Sequence, residues 1–232
     1  MQKEKTFSMN IQHYKREQIT KLDRHVHRKN KNYSNECIDL DKSKDNIELV
    51  SCSSLLGYLD DVIKREVKMY GNRVTANSVY CTEAVFTLPK GISRIEEYFK
   101  TILQYLKEHG YEVVSAVVHL DETTPHLHAD ILNIKDHRLC RSEIWNRKSL
   151  IKLHEDVPKY LKERGFDVDR GSSLDKEAKK KAKRSIQQYK KDMMKSDIEQ
   201  LEREKRQLLE GNEYIAYEIV NAVEIREYER CR

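Results

Sequence analysis

The spacing of apolar and polar positions changes several times along the chain, and each change marks an element. Val113–Leu120 is rich in β-branched residues and His126–Ile134 alternates, so both read as strands. The Asp-Glu-Thr-Thr-Pro between them is turn chemistry, because proline fixes φ and offers no ladder donor. Strands joined so tightly are antiparallel. Lys5–Tyr14 reads as a first strand with imperfect alternation, and Ser78–Leu88 as a further strand closed by Pro89. Apolar side chains three and four apart predict helices over Leu55–Met69, Ser93–His109 and Asn146–Glu163. Ser53 or Ser54 would cap the first, Gly71-Asn72 would end it, Gly110 would end the second, and Pro158 would bend or break the third. KREQITKLDRHVHRKNKNYSN reads as a basic loop too charged for the core, and IDLDKSKDNIELV has a short apolar end at Ile47–Val50.

Helices packed on a sheet that contains an antiparallel pair define an α+β fold with a central antiparallel sheet flanked by helices. From Leu174 onward the chain is dense in Lys, Glu and Arg. Met194, Leu201, Leu208 and Ile215 fall seven apart, while Lys205 and Asn212 interrupt the second seam begun by Ile198 and Ile219. The expected organisation is therefore a domain over residues 1–172. A charged, long C-terminal helical segment over 173–232 follows, and it would allow a coiled coil and a homodimer without requiring either.

Length and charge narrow the classes. A chain of 232 residues suits one packed domain with an appendage. The 44 Lys+Arg against 39 Asp+Glu leave net +5, compatible with nucleic acid but not an argument for it alone. The run Lys179–Lys183 could follow a phosphate backbone or simply form a solvated helix face. Five scattered cysteines, never in CxxC spacing, read as reduced thiols of a cytoplasmic protein. No apolar stretch reaches the length of a membrane span, and MQKEKTFSMN lacks a signal peptide's apolar region, so membrane insertion is not expected. A glycine-rich phosphate loop, a GxSxG elbow and internal repeats are all missing from the sequence.

The chemistry concentrates in the hairpin, which carries His119, Asp121, Glu122, Pro125, His126 and His128. Side chains two apart on a strand share a face, so His126 and His128 point the same way, and the fold-back brings His119 to meet them. Three imidazoles on a rigid hairpin make a divalent-metal site, suited without a thiolate to Mn2+, Zn2+, Ni2+ or Co2+, with Mg2+ less natural. Asp121 and Glu122 are placed to orient the ligand histidines or to bind the ion directly. Phosphodiester cleavage at such a site needs an attacking group from elsewhere. The basic segment offers His25, His27 and Tyr33 beside Arg28, and all three remain open.

These residues resemble a known family. His119-Leu-Asp-Glu-Thr-Thr-Pro-His-Leu-His128 fits every fixed position of the HxDExxPHxH motif of the Mob/Pre plasmid mobilisation relaxases, which belong to the HUH class of single-strand DNA endonucleases. Arg24-His-Val-His-Arg28 is similar to their HNxR motif, and Asn46-Ile-Glu-Leu49 to their NYEL motif. Val26 and Ile47 replace the family's Asn and Tyr. The resemblance covers about residues 5 to 200. It implies an HUH relaxase fold and a plasmid mobilisation relaxase. Such an enzyme nicks one strand at a transfer origin by metal-assisted transesterification, holds the 5′-phosphate covalently and later rejoins it. It implies His119, His126 and His128 as metal ligands, with Mn2+ the expected cofactor and Mg2+ or another transition metal as alternatives. Glu122 would support the site with Asp121 behind it, and His25 would attack while Arg28 holds phosphate nearby. Arg24, His27, Arg28 and Asn46 would contact plasmid DNA, single-stranded or hairpin, at the origin. Two other readings are a weakened relative that binds origin DNA without cleaving it, and a metal hydrolase using metal-bound water.

Overall fold

The two strands of the histidine-bearing hairpin lie inside the sheet, with other strands on both sides. In the computed structural model, which describes residues 5–33, 35, 37–170 and the helical positions 195, 199, 203, 206 and 207, β4 (Val113–His119) pairs antiparallel with β5 (His126–Leu132). β3 (Val79–Thr87) lies on the other side of β5, β1 (Ser8–Lys15) closes that edge, and β2 (Ile47–Val50) closes the opposite one. All neighbours in this order, β1-β3-β5-β4-β2, run antiparallel, as the α+β reading expected.

Alternation along the strands divides the sheet into two chemically different faces. Leu127, Ala129 and Ile131 of β5, with Phe86 of β3, pack against α3 (Ile95–Glu108) and α5 (Arg147–Glu163), whose Tyr98, Phe99, Ile102, Leu153 and Val157 are buried there. On the other face Tyr80, Cys81, Val117 and Leu132 pack against α1 (Arg16–Val26) and α2 (Leu55–Glu66). His126, His128 and Asp130 share that second face, so the apolar covering of α1 and α2 surrounds a polar strip.

Helix α1 corrects the sequence reading. Its residues were expected to be loop, yet Ile19, Leu22 and Val26 are buried on one stripe of a helix whose other side carries the charge. Only three apolar residues in eleven suffice, because spacings of three and four bring them onto one face. Its C-terminus closes with Lys29 N–H donating to the Arg24 carbonyl and Arg28 N–H donating to that of His25, a Schellman arrangement. Arg28 takes the left-handed position, with φ of +50°, where glycine is usual.

Other boundaries moved less. α2 stops at Glu66, and a short 3-10 turn, Lys68–Tyr70, leads to Gly71 at φ +76°. Ser54, rather than Ser53, caps α2 by accepting from Gly57 N–H. α5 runs unbroken through Pro158. After β5 come a small hairpin, β6 (Ile134–Lys135) with β7 (Arg138–Leu139), and the short α4 (Arg141–Ile144).

The chain divides into two compact units, Met1–Gly171 and Ser172–Arg232. Within the first, Phe7 N–H donates to the Asp169 carbonyl at 2.7 Å and Asp169 N–H to that of Lys5 at 2.8 Å. The heptad positions Met194, Leu201, Leu208 and Ile215 and the run Lys179–Lys183 lie outside the described residues.

Candidate metal centre

β4 and β5 set His119 directly opposite His126, and His128 follows two residues later on the same face. One ring nitrogen from each of the three lies within 4.8 Å of the others. Which nitrogen each offers follows from what the other nitrogen touches. His119 Nε2 lies 2.7 Å from the Val26 carbonyl, which only accepts, so Nε2 carries the proton and Nδ1 the lone pair. His126 Nδ1 likewise donates to the Thr124 carbonyl at 2.9 Å, leaving Nε2. His128 Nδ1 faces Glu83 Oε1 at 2.6 Å, and its Nε2 is buried without a hydrogen-bond partner. A buried acceptor with nothing to accept from is costly unless an ion or donor completes it. Three ring nitrogens converge, that of His128 orphaned and that of His119 facing Arg28 Nη2 at 3.0 Å, and the imidazole donor set fits a divalent transition metal.

Burial also keeps His119 and His128 neutral. Desolvation, then the neighbouring His128, pushes His119 down to about 2, and desolvation drives His128 well below the ordinary imidazole range. His25 is lowered too, by burial first and by Arg28 second. Neutral imidazoles keep the lone pairs that coordination or nucleophilic attack requires.

Of the three candidate attacking groups, the structure brings one against the cluster. The His25 ring centroid is 5.7 Å from that of His128 and 6.1 Å from that of His119. His27 turns away, with Nδ1 3.1 Å from Asp23 Oδ1 and Nε2 3.6 Å from Glu48 Oε1. Tyr33 packs beside His25 at 6.1 Å, but its hydroxyl accepts from Asn30 N–H and donates to the Arg24 carbonyl, bracing the loop.

The acids and the basic residues differ more from expectation. Asp121 hydrogen-bonds to no histidine; it accepts from Arg28 Nε at 2.7 Å, Arg28 Nη2 at 2.8 Å, Ser43 Oγ at 2.6 Å and Asn46 Nδ2 at 2.9 Å. Those donors hold its carboxyl far below the usual carboxylate range against the opposing effect of burial, the largest single influence. Glu122 accepts from Arg28 Nη2 at 2.7 Å and Asn35 Nδ2 at 3.1 Å, with Oε1 3.8 Å from His126 Nε2. Arg28, expected at phosphate, has a side chain only 5% exposed and engaged by both acids, with Nη2 also 3.0 Å from His119 Nδ1. Asn46, expected at DNA, spends its amide inside: Oδ1 accepts from Leu120 N–H at 2.7 Å while Nδ2 serves Asp121. Arg24 is exposed.

The acid that hydrogen-bonds a histidine of the cluster is instead Glu83 of β3. Its Oε2 accepts from Tyr14 on β1 at 2.9 Å while Oε1 fixes His128. Burial raises its carboxyl, and it raises the neighbouring Asp130 far more, both of whose oxygens are fully buried without partners.

Comparison with known proteins accords with this geometry. A family model described as plasmid recombination enzyme matches residues 3–206. A plasmid recombination enzyme of Lactiplantibacillus plantarum is 32% identical over 209 residues, 83% of this chain and 55% of the relative. One of Bacillus thuringiensis is 32% identical over 178 residues, 72% of this chain and 40% of the relative. The chain thus spans about half the length of the curated relatives it matches. Among solved structures, a Mn-bound MobM relaxase domain in complex with plasmid pMV158 oriT DNA superposes with a TM-score of 0.71 at 24% identity, covering 81% of this chain and 99% of that one. A second Mn-bound MobM complex gives 0.69 at 23% identity over 80% and 99%. At these identities the likeness establishes the fold.

Proposed function

The chain belongs to the plasmid recombination enzyme family, and from that membership and its site we propose that it is a plasmid mobilisation relaxase. In this reading it nicks one strand of plasmid DNA at a transfer origin and later rejoins it. The single observation that carries the reading is the packing of a neutral His25 against His119 and His128 of the three-histidine cluster.

His119 Nδ1, His126 Nε2 and His128 Nε2 would hold the ion, and Mn2+, present in the MobM structures, is the proposed cofactor. When bound, such an ion polarises the scissile phosphate and offsets charge as the transition state forms. The protein supplies the rest. A ring nitrogen of His25 attacks phosphorus, forming a P–N bond. The bond from phosphorus to the 3′ oxygen breaks, and that oxygen leaves as a 3′-hydroxyl after taking a proton. The 5′-phosphate stays on His25, and a later 3′-hydroxyl reverses the exchange. Glu83 keeps His128 in the required tautomer, and Glu122 sits at the mouth beside His126. Arg24 is the exposed cation proposed to meet the backbone. No helix among the described residues is long and apolar enough to cross a membrane. Free thiols at Cys37, Cys52, Cys81 and Cys140 support a cytoplasmic setting. Self-association through the C-terminal residues remains part of the proposal.

Incubation with Mn2+ and a single strand carrying the origin tests this on a denaturing gel. A protein–DNA adduct is expected, lost in His25→Ala and kept in His27→Ala and Tyr33→Phe. An adduct surviving His25→Ala overturns the assignment. Cleavage without any adduct points to hydrolysis by metal-bound water, and binding without cleavage to a weakened relative.

A further inference from the structure

We infer that Asp121 is a positioning residue: with Arg28 it forms a buried strut that fixes the distance between His25 and the histidine cluster. The inference rests on the proposed reading only in calling His25 the attacking group.

Two segments far apart in sequence must meet for the site to exist, the C-terminal turn of α1 and the hairpin of β4 and β5. They are joined at two points just beyond His25. One residue after it, the Val26 carbonyl accepts from His119 Nε2 at 2.7 Å. Three residues after it, the Arg28 guanidinium reaches the turn of the hairpin, binding Asp121 through two nitrogens and Glu122 through one. A planar guanidinium gripped through two edges fixes orientation as well as distance, which a single ionic contact does not. Arg28 Nη1 also lies 3.3 Å from the His25 carbonyl, so the strut grips the backbone that carries the imidazole.

Asp121 is built for this task rather than for metal. Its side chain is fully buried, and it gathers three donor residues from two separate segments: Arg28 from the end of α1, Ser43 and Asn46 from the segment before β2. Its backbone carbonyl adds a fourth tie, accepting from Asp39 N–H at 2.9 Å. Three of these donors crowd Oδ2 and one holds Oδ1, so the carboxylate is fixed in place.

The backbone of Arg28 argues the same way. The left-handed position of a Schellman closure favours glycine, and a branched-backbone cost is accepted here for a long charged side chain. Strain of this kind persists where the surrounding contacts over-determine it. If Arg28 merely ended the helix, glycine would end it better.

The full chain, without metal or DNA, tests the strut by NMR of ring protons in histidine-labelled, otherwise deuterated protein. Wild type should show cross-relaxation between His25 and His128 and between His119 and His128, whose centroids are 5.7 and 4.3 Å apart. In Asp121→Asn and in Arg28→Gly the His25 contacts should fall at least five-fold while the His119–His128 contact stays. Arg28→Gly relieves the backbone, which offsets part of the cost of leaving the Asp121 carboxylate without its charge partner. A urea unfolding curve establishes that each variant is folded before its contacts are read. His25 contacts that persist in Arg28→Gly overturn the inference. So does loss of the His119–His128 contact alongside them, which marks a merely structural role. In the adduct assay, the variants should lose at least ten-fold in maximal rate with half-saturating DNA changed less than three-fold. Failure of the relaxase reading would show in wild type as absent adduct, and leaves the NMR comparison decisive for the strut.

Discussion

Asp130 shows what one side chain contributes at this site. It is fully buried between Glu83 and Ser115, without a hydrogen bond to either oxygen, and burial raises its carboxyl well above the ordinary 3.8. A group raised on folding stabilises fully below its unfolded value and loses that contribution as pH rises toward its folded one. Asp130→Asn removes the titration. The variant's stability relative to wild type should therefore climb with pH above about 4, by about 1.4 kcal/mol per pH unit until the folded group ionises. Urea unfolding of both proteins from pH 4 to pH 8 measures it, and parallel curves would refute the buried-acid account. At this scale the sequence was partly legible. The histidine triad follows from a period of two and a tight turn, and both held. Glu83 was missed although it left a signal, being the single charge inside the apolar run Val79–Thr87. Arg28 and Asn46 were read as facing DNA because sequence shows that a group is polar, not what it faces. Both turn inward to Asp121.

Among the elements, α1 carries the greatest contrast between local signal and structural weight. Its sequence is mostly charged, yet it presents His25 to the cluster and covers the polar face of the sheet with three side chains. So few anchors make each one matter. Leu22→Ala leaves a cavity beside α2 and should cost about 2–5 kcal/mol, read from the urea midpoint. A change under about 0.5 kcal/mol, the usual range for a surface substitution, would mean that α1 is not docked as described. The strands β3, β4 and β5 were legible because buried β-structure is written in continuous apolar and β-branched runs. The helix was not, because three apolar residues among eight polar ones look like a loop until they are projected at 100° intervals.

For the whole first unit, the fold places chemistry by joining distant segments. Residues near positions 25, 46, 83 and 121–128 converge on one sheet face, and no local stretch contains the site. That explains why the three clustered histidines, all on one hairpin, were readable together, while the groups that tune and align them were not. The same topology has a consequence at the opposite extreme of the unit. Lys5 and Phe7 hold Asp169 by two backbone hydrogen bonds, so the segment before β1 and the segment after α5 are already tied together. A short peptide could splice residue 170 to residue 5, and the ring so formed could be opened at the β6–β7 turn, where Asp136 and His137 already adopt left-handed backbone. Such a circular permutant keeps every contact of the histidine cluster while α5 is synthesised before α1 and the hairpin instead of after them.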